Sequence, residues 1–274
     1  MSPSWRNRLF VAISPTRISM IKLGYGLKPK VQATFDETVI PVGKQPSWQA
    51  VLDRFTQLLS QPEWQKAEVN VVLSNQFFWF DTLTFSVQLK HYAAQEAFAR
   101  HSLSQTYGAA TEQWTLRTQQ GKNGTSRLVS AVDRALLDGL RQVCAAHQLK
   151  LNLVTPSLAA VFNRFQKELK TDPAWLVIHE PGYSLLALIS TGQFVAINGV
   201  YDTINELPVL LDRENLISTL PKPCTAVYLY APSLTDLSVF PKTPYAFSKL
   251  DIAVPEGFPA QSEGLFAMLM SEFM

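Results

Sequence analysis

The strongest constraint on the fold is a hairpin-like segment that occurs twice in the sequence. LFVAISPTRISMIKL occupies residues 9–23, and WLVIHEPGYSLLALI occupies residues 175–189. Each segment has an apolar run, a turn that contains proline and a second apolar run, which is the pattern of two strands joined by a tight turn. When Pro15 is aligned with Pro181, an offset of 166 residues superimposes the apolar runs on both sides of the turn. The chain is therefore predicted to carry one hairpin in two copies.

Similar elements are predicted after each hairpin. The first is followed by a strand at 30–40, a helix with Ser47 as its N-cap, and a strand at 67–74. After the second come a third meander strand, a helix that tolerates Pro208 only near its start, and a strand at 224–231. Both halves therefore have the order β-β-β-α-β.

The first half contains additional elements. An aromatic strand at 76–85 precedes a helix at 88–107 and then two strands joined through Asn123-Gly124, which is a strong hairpin signal. A helix with Asp133 as N-cap, a strand and a further helix complete this half, and a short apolar helix is predicted at the C-terminus. We interpret 88–131 as a small inserted subdomain.

A duplicated β-β-β-α-β unit with an insertion is the layout of the actin-like ATPase, or ribonuclease-H-like, α/β fold. The first lobe is predicted to comprise 1–87 and 132–170, with the inserted subdomain at 88–131. The second, shortened lobe is predicted at 171–274. An unrelated α/β interaction module remains the alternative to this duplication.

Composition narrows the class of partner. The net charge is +2 and basic residues are scattered, so nothing indicates nucleic-acid binding. Cys144 and Cys224 are expected to be buried thiols in a reducing compartment.

Apolar stretches such as 9–13 are far shorter than the ~20 residues that span a bilayer. The N-terminal apolar run stops at Ser14-Pro15, too early for a signal peptide. We expect a cytoplasmic protein that reaches a membrane only through a partner.

Two stretches resemble the PilM-type pilus assembly proteins and their relatives, the MshI-type proteins and the cytoplasmic domain of GspL-type secretion proteins. They are RLVSAVDRALLDGLRQVCAAHQLKLNLVTPSLAAVFNRF and AWLVIHEPGYSLLALISTGQFVAINGV, with Gln148-Leu149 where Gly-Leu is usual. The resemblance covers roughly 8–230. It implies an actin-like protein that binds the short cytoplasmic tail of an inner-membrane partner and couples a cytoplasmic motor to an envelope-spanning complex.

The two turns lack the groups with which actin-like ATPases hold a nucleotide. Glycine amides face the phosphates in such turns, and aspartates organise Mg²⁺. Ala12 stands where the family places the first aspartate, and Pro15 and Pro181 each remove an amide donor. The strand at 224–231 is followed by a turn without glycine. The remaining phosphate-turn positions are Ser14, Thr16, Glu180, Gly182 and Ser184.

The second hairpin has Ile178, His179 and Glu180 at the corresponding strand end. Glu180 is interpreted either as a surviving metal ligand or general base, or as a carboxylate at a solvated turn. His179 is interpreted either as a ligand or as a hydrogen-bonded turn residue, because no second His or Cys stands at ligand spacing. We therefore expect no catalytic residue, metal or bound cofactor, with Mg-ATP binding by unusual turns as the alternative.

The aromatic run Phe77-Phe78-Trp79-Phe80 suggests a partner site. Phe77 and Trp79 would face one side of a strand while Phe78 and Phe80 face the other, so both faces need cover. They belong either to the core or to a peptide groove between the first lobe and the insertion, lined by Phe77, Trp79 and Tyr92. Taken with the degenerate turns, the resemblance implies a non-catalytic scaffold of a type IV pilus or type II secretion-like assembly at the cytoplasmic face of the inner membrane, with an ATPase of the same assembly as the alternative. Self-association stays open.

Overall fold

A computed structural model describes residues 6–26, 30–41, 45–86, 89, 91–119, 125–240, 242–253 and 266–269. The strands are β1 (Asn7–Ser14), β2 (Arg17–Leu23), β3 (Val31–Thr38), β4 (Ala67–Leu73), β5 (Phe78–Thr84), β6 (Trp114–Thr118), β7 (Ser126–Asp133), β8 (Lys150–Pro156), β9 (Ala174–Glu180), β10 (Tyr183–Ser190), β11 (Gln193–Val200), β12 (Ala226–Tyr230) and β13 (Ala246–Lys249). The helices are α1 (Gln49–Leu59), α2 (Tyr92–Tyr107), α3 (Arg134–Ala146), α4 (Ser157–Phe165) and α5 (Leu207–Ile217).

The chain forms two compact units. The first comprises Met1–Phe77, Arg134–Arg164 and Ile252–Met274, and the second comprises Phe78–Asp133 and Phe165–Asp251. The small sheet that is inserted in the sequence of the first lobe thus lies in the second unit. A compact unit need not fold as a separate domain. The domain boundaries derived from the sequence therefore stay a prediction.

The first unit contains a five-stranded sheet in the order β3-β2-β1-β4-β8. The β1–β2 and β2–β3 pairs are antiparallel, whereas β1–β4 and β4–β8 are parallel. The central strands β1 and β2 are buried almost throughout, as expected for strands covered on both faces. Helices α1 and α3 pack together closely, and a Cβ on Gly139 of α3 would lie 2.5 Å from Cδ2 of Leu52. Glycine at 139 therefore permits this approach.

The second unit repeats the same arrangement. Its five-stranded sheet has the order β11-β10-β9-β12-β13, again with an antiparallel meander followed by two parallel pairs. The correspondence is β1 to β9, β2 to β10, β3 to β11, β4 to β12 and β8 to β13. The predicted duplication is therefore confirmed in strand order and strand direction.

A three-stranded sheet, β5-β7-β6, forms the rest of the second unit. Helix α2 packs on one face through a core that includes Phe85, Leu103 and Leu116. Strand β11 packs against β5 and β7, and the Thr82 hydroxyl donates to the Val195 carbonyl at 3.3 Å. The aromatic strand β5 is thus contacted by β11, and its residues from Phe78 to Leu83 are half-buried.

Several local predictions differ from the structure. Helix α1 begins after Trp48, which makes no side-chain capping bond, so Ser47 is not its N-cap. Residues Asn75–Phe77 form a 3-10 turn, and the aromatic strand starts only at Phe78. The Asp133 prediction is not one of these, because Asp133 ends β7 and directly precedes α3, which begins at Arg134. The Asn123-Gly124 turn and most of the predicted C-terminal helix lie outside the described residues.

Candidate functional site

The first hairpin turn is closed by its own polar groups. Ser14 pairs with Arg17 across the two-residue turn formed by Pro15 and Thr16. The Ser14 hydroxyl donates to the Arg17 carbonyl at 3.5 Å, and the Thr16 carbonyl accepts from the Val39 amide at 2.8 Å. Pro15 has no amide hydrogen. The Ser14 hydroxyl and the Thr16 carbonyl are therefore engaged within the first unit.

A carboxylate beside this turn is neutralised by an arginine. Nε and Nη2 of Arg17 donate to the two carboxylate oxygens of Asp36, each at 2.7 Å. The Ser19 hydroxyl donates to Oδ1 of the same carboxylate at 2.6 Å. This fork-shaped geometry gives the strongest kind of side-chain ion pair. Asp36 thus has both a guanidinium and a hydroxyl as partners.

The second hairpin turn uses glycine at the position that needs it. Glu180 pairs with Tyr183 across Pro181 and Gly182, and Gly182 has φ of 75°. Proline followed by a left-handed glycine is the pattern of a type II turn. The Gly182 carbonyl accepts from the Asp202 amide at 3.3 Å. Glu180 is only 6% exposed, so its interpretation as a carboxylate at a solvated turn is wrong.

Three polar side chains meet beside this turn. Nδ1 of His179 lies 2.8 Å from the Ser184 hydroxyl, and that hydroxyl donates to Oδ2 of Asp202 at 3.1 Å. Ser184 is fully buried, and Asp202 is 8% exposed. His179 is hydrogen-bonded as interpreted, but it lies in strand β9 and not in the turn. With Ser184 donating to Asp202, the hydroxyl accepts from His179, which places a proton on Nδ1.

Burial shifts the pKa of both His179 and Asp202, the two ends of this hydrogen-bonded series. It raises the pKa of Asp202, against the hydrogen bond from Ser184, and the nearby Glu206 carboxylate raises this pKa further. Burial lowers the pKa of His179. Both shifts favour the neutral form of the group, because a charge loses its hydration when it is buried.

The arrangement differs from that of a nucleophilic triad. In such a triad histidine lies between serine and the carboxylate, so that it can take the serine proton. Here Ser184 lies between His179 and Asp202, and its hydroxyl is buried. The three residues form a polar network, buried at Ser184 and Asp202 and half-buried at His179, that links β9, β10 and the segment after β11.

The turn after β12, where a third nucleotide-binding element was expected, also bonds to its own backbone. After β12, the Leu234 amide donates to the Ala231 carbonyl at 2.9 Å, and Ala231 is buried. No glycine occurs in this turn. The backbone therefore closes on itself where an adenosine-packing turn would follow the strand.

The aromatic candidates occupy different environments. Trp79 stacks on Trp114 with ring centroids 3.9 Å apart, and the edge of Tyr107 meets Trp114. Tyr92 is 46% exposed, and its hydroxyl accepts from Arg117 at 3.1 Å. Phe77 is buried. Trp79 lies in β5 of the three-stranded sheet, and Tyr92 is the first residue of α2. The groove predicted around Phe77, Trp79 and Tyr92 stays a prediction.

Asp202 was missed by the sequence analysis because it lies outside the hairpin segment. Its only sequence signal is position, since it follows the third strand of the meander. Among the described residues, no group of three or more His, Cys, Asp and Glu side chains is arranged to hold a metal ion. No helix in the described ranges is both long enough and apolar enough to cross a membrane.

Comparison with known proteins identifies the fold. No family model matches the sequence, and no curated protein does so either. The chain is similar to the protein in the PilM-PilN type IV pilus biogenesis complex, with a TM-score of 0.65 and 13% identity over 97% of this chain and 96% of that one. It is also similar to the cytoplasmic domain of EpsL, an inner-membrane component of the type II secretion system of Vibrio cholerae. That match has a TM-score of 0.58 and 13% identity over 97% and 95% of the two chains.

A third similar structure is a protein of unknown function with an actin-like ATPase fold from Bacteroides thetaiotaomicron. It has a TM-score of 0.56 and 12% identity over 85% of this chain and 84% of that one. The predicted actin-like fold is therefore confirmed, and the resemblance stated from the sequence is matched by solved structures of PilM and of an EpsL cytoplasmic domain.

Proposed function

We propose that this chain is a non-catalytic, actin-like scaffold in a type IV pilus or type II secretion-like assembly. It binds the cytoplasmic tail of an inner-membrane partner and is held at the cytoplasmic face of the membrane by that contact. The observation that carries the proposal is the internal use of the turn groups: Ser14 bonds within its own hairpin, and Ser184 bonds to His179 and Asp202. Two assembly components with the same fold support the choice of system.

The absence of nucleotide binding is tested by thermal unfolding with and without millimolar Mg-ATP. We expect no shift in Tm, because a proline replaces one amide of each turn and the serine hydroxyls already have partners. Binding with ATP at 100 times Kd would add about 2.7 kcal/mol to the free energy of unfolding. A shift of several degrees would instead favour the alternative, an ATPase of the same assembly.

Partner binding is tested by fractionating cells that express the chain. We expect it to sediment with inner membranes and to be released by a wash that disrupts protein contacts. Recovery of the chain entirely in the supernatant would contradict membrane recruitment.

Trp79 is the candidate contact in this assay, and Trp79→Ala is expected to weaken recruitment more than it lowers Tm. Leu83→Ala is the matched control, since Leu83 packs against the same core as Trp79. Equal losses of recruitment and stability in both variants would make Trp79 a core residue only.

A further inference from the structure

Helix α5 is apolar on two opposite faces. Its inner face includes Leu207 and Leu211, which lie in the core of the second unit. On the other side, Val209, Leu216 and Ile217 are 69%, 86% and 70% exposed. A surface helix has polar residues on the side away from the core, whereas a helix that is apolar all round is buried. The exposed side of α5 therefore has the composition of a covered surface.

The exposed apolar residues of α5 lie together. Val209 and Leu216 are seven residues apart, so they lie on the same side of the helix, two turns from one another. Arg213 is four residues after Val209 and shares this side, and Ile217 is four residues after Arg213. We call Val209, Arg213, Leu216 and Ile217 the outer face of α5. Contiguous exposed apolar side chains mark contact surfaces, whereas single ones need no explanation.

Two side chains of opposite charge lie along one edge of the outer face. Glu206 is exposed and directly precedes α5, and Arg213, whose side chain is 52% exposed, comes seven residues later. Oε2 of Glu206 accepts from the Thr203 amide, and Nε and Nη2 of Arg213 donate to Oε1 of buried Glu214. Oε1 of Glu206 and Nη1 of Arg213 make no hydrogen bond to any residue that the structure describes. Each charged group can therefore take one more partner.

An antiparallel pair of α5 helices provides both partners at once. Under two-fold symmetry, a residue before the axis in one copy faces a residue equally far beyond the axis in the other. Val209 and Leu210 lie midway between Glu206 and Arg213 in the sequence. With the axis at this point, Glu206 of each copy faces Arg213 of the other, and two ion pairs form along the edge of the helix pair.

The apolar side chains also match in this arrangement. Val209 meets Val209 of the second copy at the axis. Leu216 and Ile217 extend beyond Arg213 and reach the segment that precedes α5 in the second copy, where Tyr201 is 74% exposed. The carboxylate of Asp212, on the opposite edge of the helix, accepts from the Tyr245 hydroxyl of its own chain at 2.7 Å.

We propose that the outer face of α5 is the interface of a homodimer, in which two copies of the chain pack their α5 helices antiparallel about a two-fold axis. The two signs of charge favour a second copy over a partner of one sign, because an anionic membrane repels Glu206 and a basic peptide repels Arg213. The inference goes beyond the proposed function and does not depend on it. An interface one helix wide is small, below about 1,200 Å² in total, so we expect a Kd in the micromolar range.

The experiment is sedimentation velocity of the full chain over a series of concentrations that begins below one micromolar and ends at several hundred. We expect a monomer at the low end and a dimer at the high end. Leu216→Glu places a charge among the apolar groups and is expected to weaken dimerisation about tenfold. Ile40→Glu is the matched control, because Ile40 is 80% exposed and lies in the first unit. Both replaced side chains are exposed, so neither variant should change Tm.

A charge exchange tests the predicted ion pairs. Glu206→Arg and Arg213→Glu each bring like charges opposite one another, and each is expected to weaken self-association about fivefold. When the two variants are mixed, every one of these positions faces an opposite charge, so the mixture should form a dimer more readily than either variant alone. Arg213 also pairs with buried Glu214, so the Tm of Arg213→Glu is measured alongside.

Val209→Cys tests the register of the two helices without changing a charge. The two thiols would face each other at the axis, where helix contact allows the Cα separation of about 4.4–6.8 Å that a disulfide needs. We expect mild oxidation to give a covalent dimer. Leu216→Cys is the matched control, because its two copies would lie about 20 Å apart along the helices. The native Cys144 and Cys224 are buried.

Three results would overturn the inference. They are a wild-type chain that stays monomeric throughout the series, a dimer that Leu216→Glu leaves intact, and equal cross-linking of Val209→Cys and Leu216→Cys. Flotation of a monomeric wild type with vesicles of phosphatidylethanolamine and phosphatidylglycerol, lost in Leu216→Glu, would also overturn it by assigning the outer face to lipid. Membrane sedimentation tests the proposed function separately, since a dimer without recruitment would contradict only the scaffold proposal.

Discussion

In the first hairpin the Asp36 carboxylate accepts from a guanidinium and a hydroxyl. In the second, the Asp202 carboxylate accepts from a hydroxyl through Oδ2, and its Oδ1 has no hydrogen-bond partner among the described residues. The strand order around both is the same. The backbone framework of a duplicated fold can therefore be retained while the electrostatics of its two turns diverge. Beside the first turn the carboxylate is paired with a guanidinium, and beside the second turn the carboxylate accepts from a hydroxyl.

Tyr183 takes the place of Arg17 and depends on a glycine, so Gly199→Ala is expected to have the largest effect. A Cβ at 199 would lie 2.0 Å from the Tyr183 hydroxyl oxygen and 2.8 Å from Cζ. Because Tyr183 is buried, its ring cannot move aside cheaply, and we expect a loss of about 2 kcal/mol in the free energy of unfolding. Urea denaturation measures this loss.

The Tyr183→Phe background serves as the control for that substitution. Removing the hydroxyl relieves the nearest clash, so part of the loss should be recovered in the double variant. A Gly199→Ala variant as stable as the wild type would show that Tyr183 is not confined in this way.

In the first hairpin, Asp36→Asn is expected to lower the free energy of unfolding by about 1–2 kcal/mol. The substitution removes the charge partner of Arg17, whose side chain is 35% exposed against 19% for Asp36, so solvent screens part of the interaction. The measurement is the urea midpoint at neutral pH. An Arg17→Met, Asp36→Asn double variant that loses as much as the two single variants combined would argue against a direct pair.

In the second hairpin, Asp202→Asn is expected to have the opposite sign and a smaller size. The folded-state pKa of Asp202 is raised above its ordinary value of 3.8, so the folded chain holds this proton more tightly than the unfolded chain. Stability from this group is present at low pH and is lost as pH rises through the folded-state pKa. At neutral pH the asparagine variant should therefore be slightly more stable than the wild type, and the difference should vanish as pH approaches 3.8.

His179 is expected to contribute the smallest effect. Its folded-state pKa is lowered below 6.5 by burial, so its stabilising contribution is present above pH 6.5 and is lost as pH falls towards the folded-state value. His179→Asn should remove this loss while keeping a hydrogen-bonding side chain. Urea midpoints between pH 7 and 5, collected in the Asp202→Asn background, separate the two titrations; parallel profiles with and without His179 would contradict the prediction.

The parts of the fold that could be predicted are those encoded by neighbouring residues. Both hairpins follow from an apolar run, a turn with proline and a second apolar run, and their strands lie at Asn7–Leu23 and Ala174–Ser190 as expected. Helix α2 ends at Gly108, whose φ of 63° suits glycine. The prediction for Ser47 failed, because a capping residue is chosen by local geometry that the amino-acid type does not determine.

The site was predicted only in part. The loss of amide donors at Pro15 and Pro181 is visible in the sequence, since proline lacks the hydrogen in every context. The burial of Glu180 and the contact between Ser184 and Asp202 are not visible, because residues 18 positions apart meet only when the third strand returns beside the second.

The sequence by itself determined that this chain is built from two copies of one strand–turn–strand pattern, because periodicity and turn chemistry act over a few residues. Only the tertiary structure decided which carboxylate is neutralised, which is buried and where the small sheet packs. Those properties depend on neighbours brought together by strand pairing, and burial and charge act through space and not along the chain.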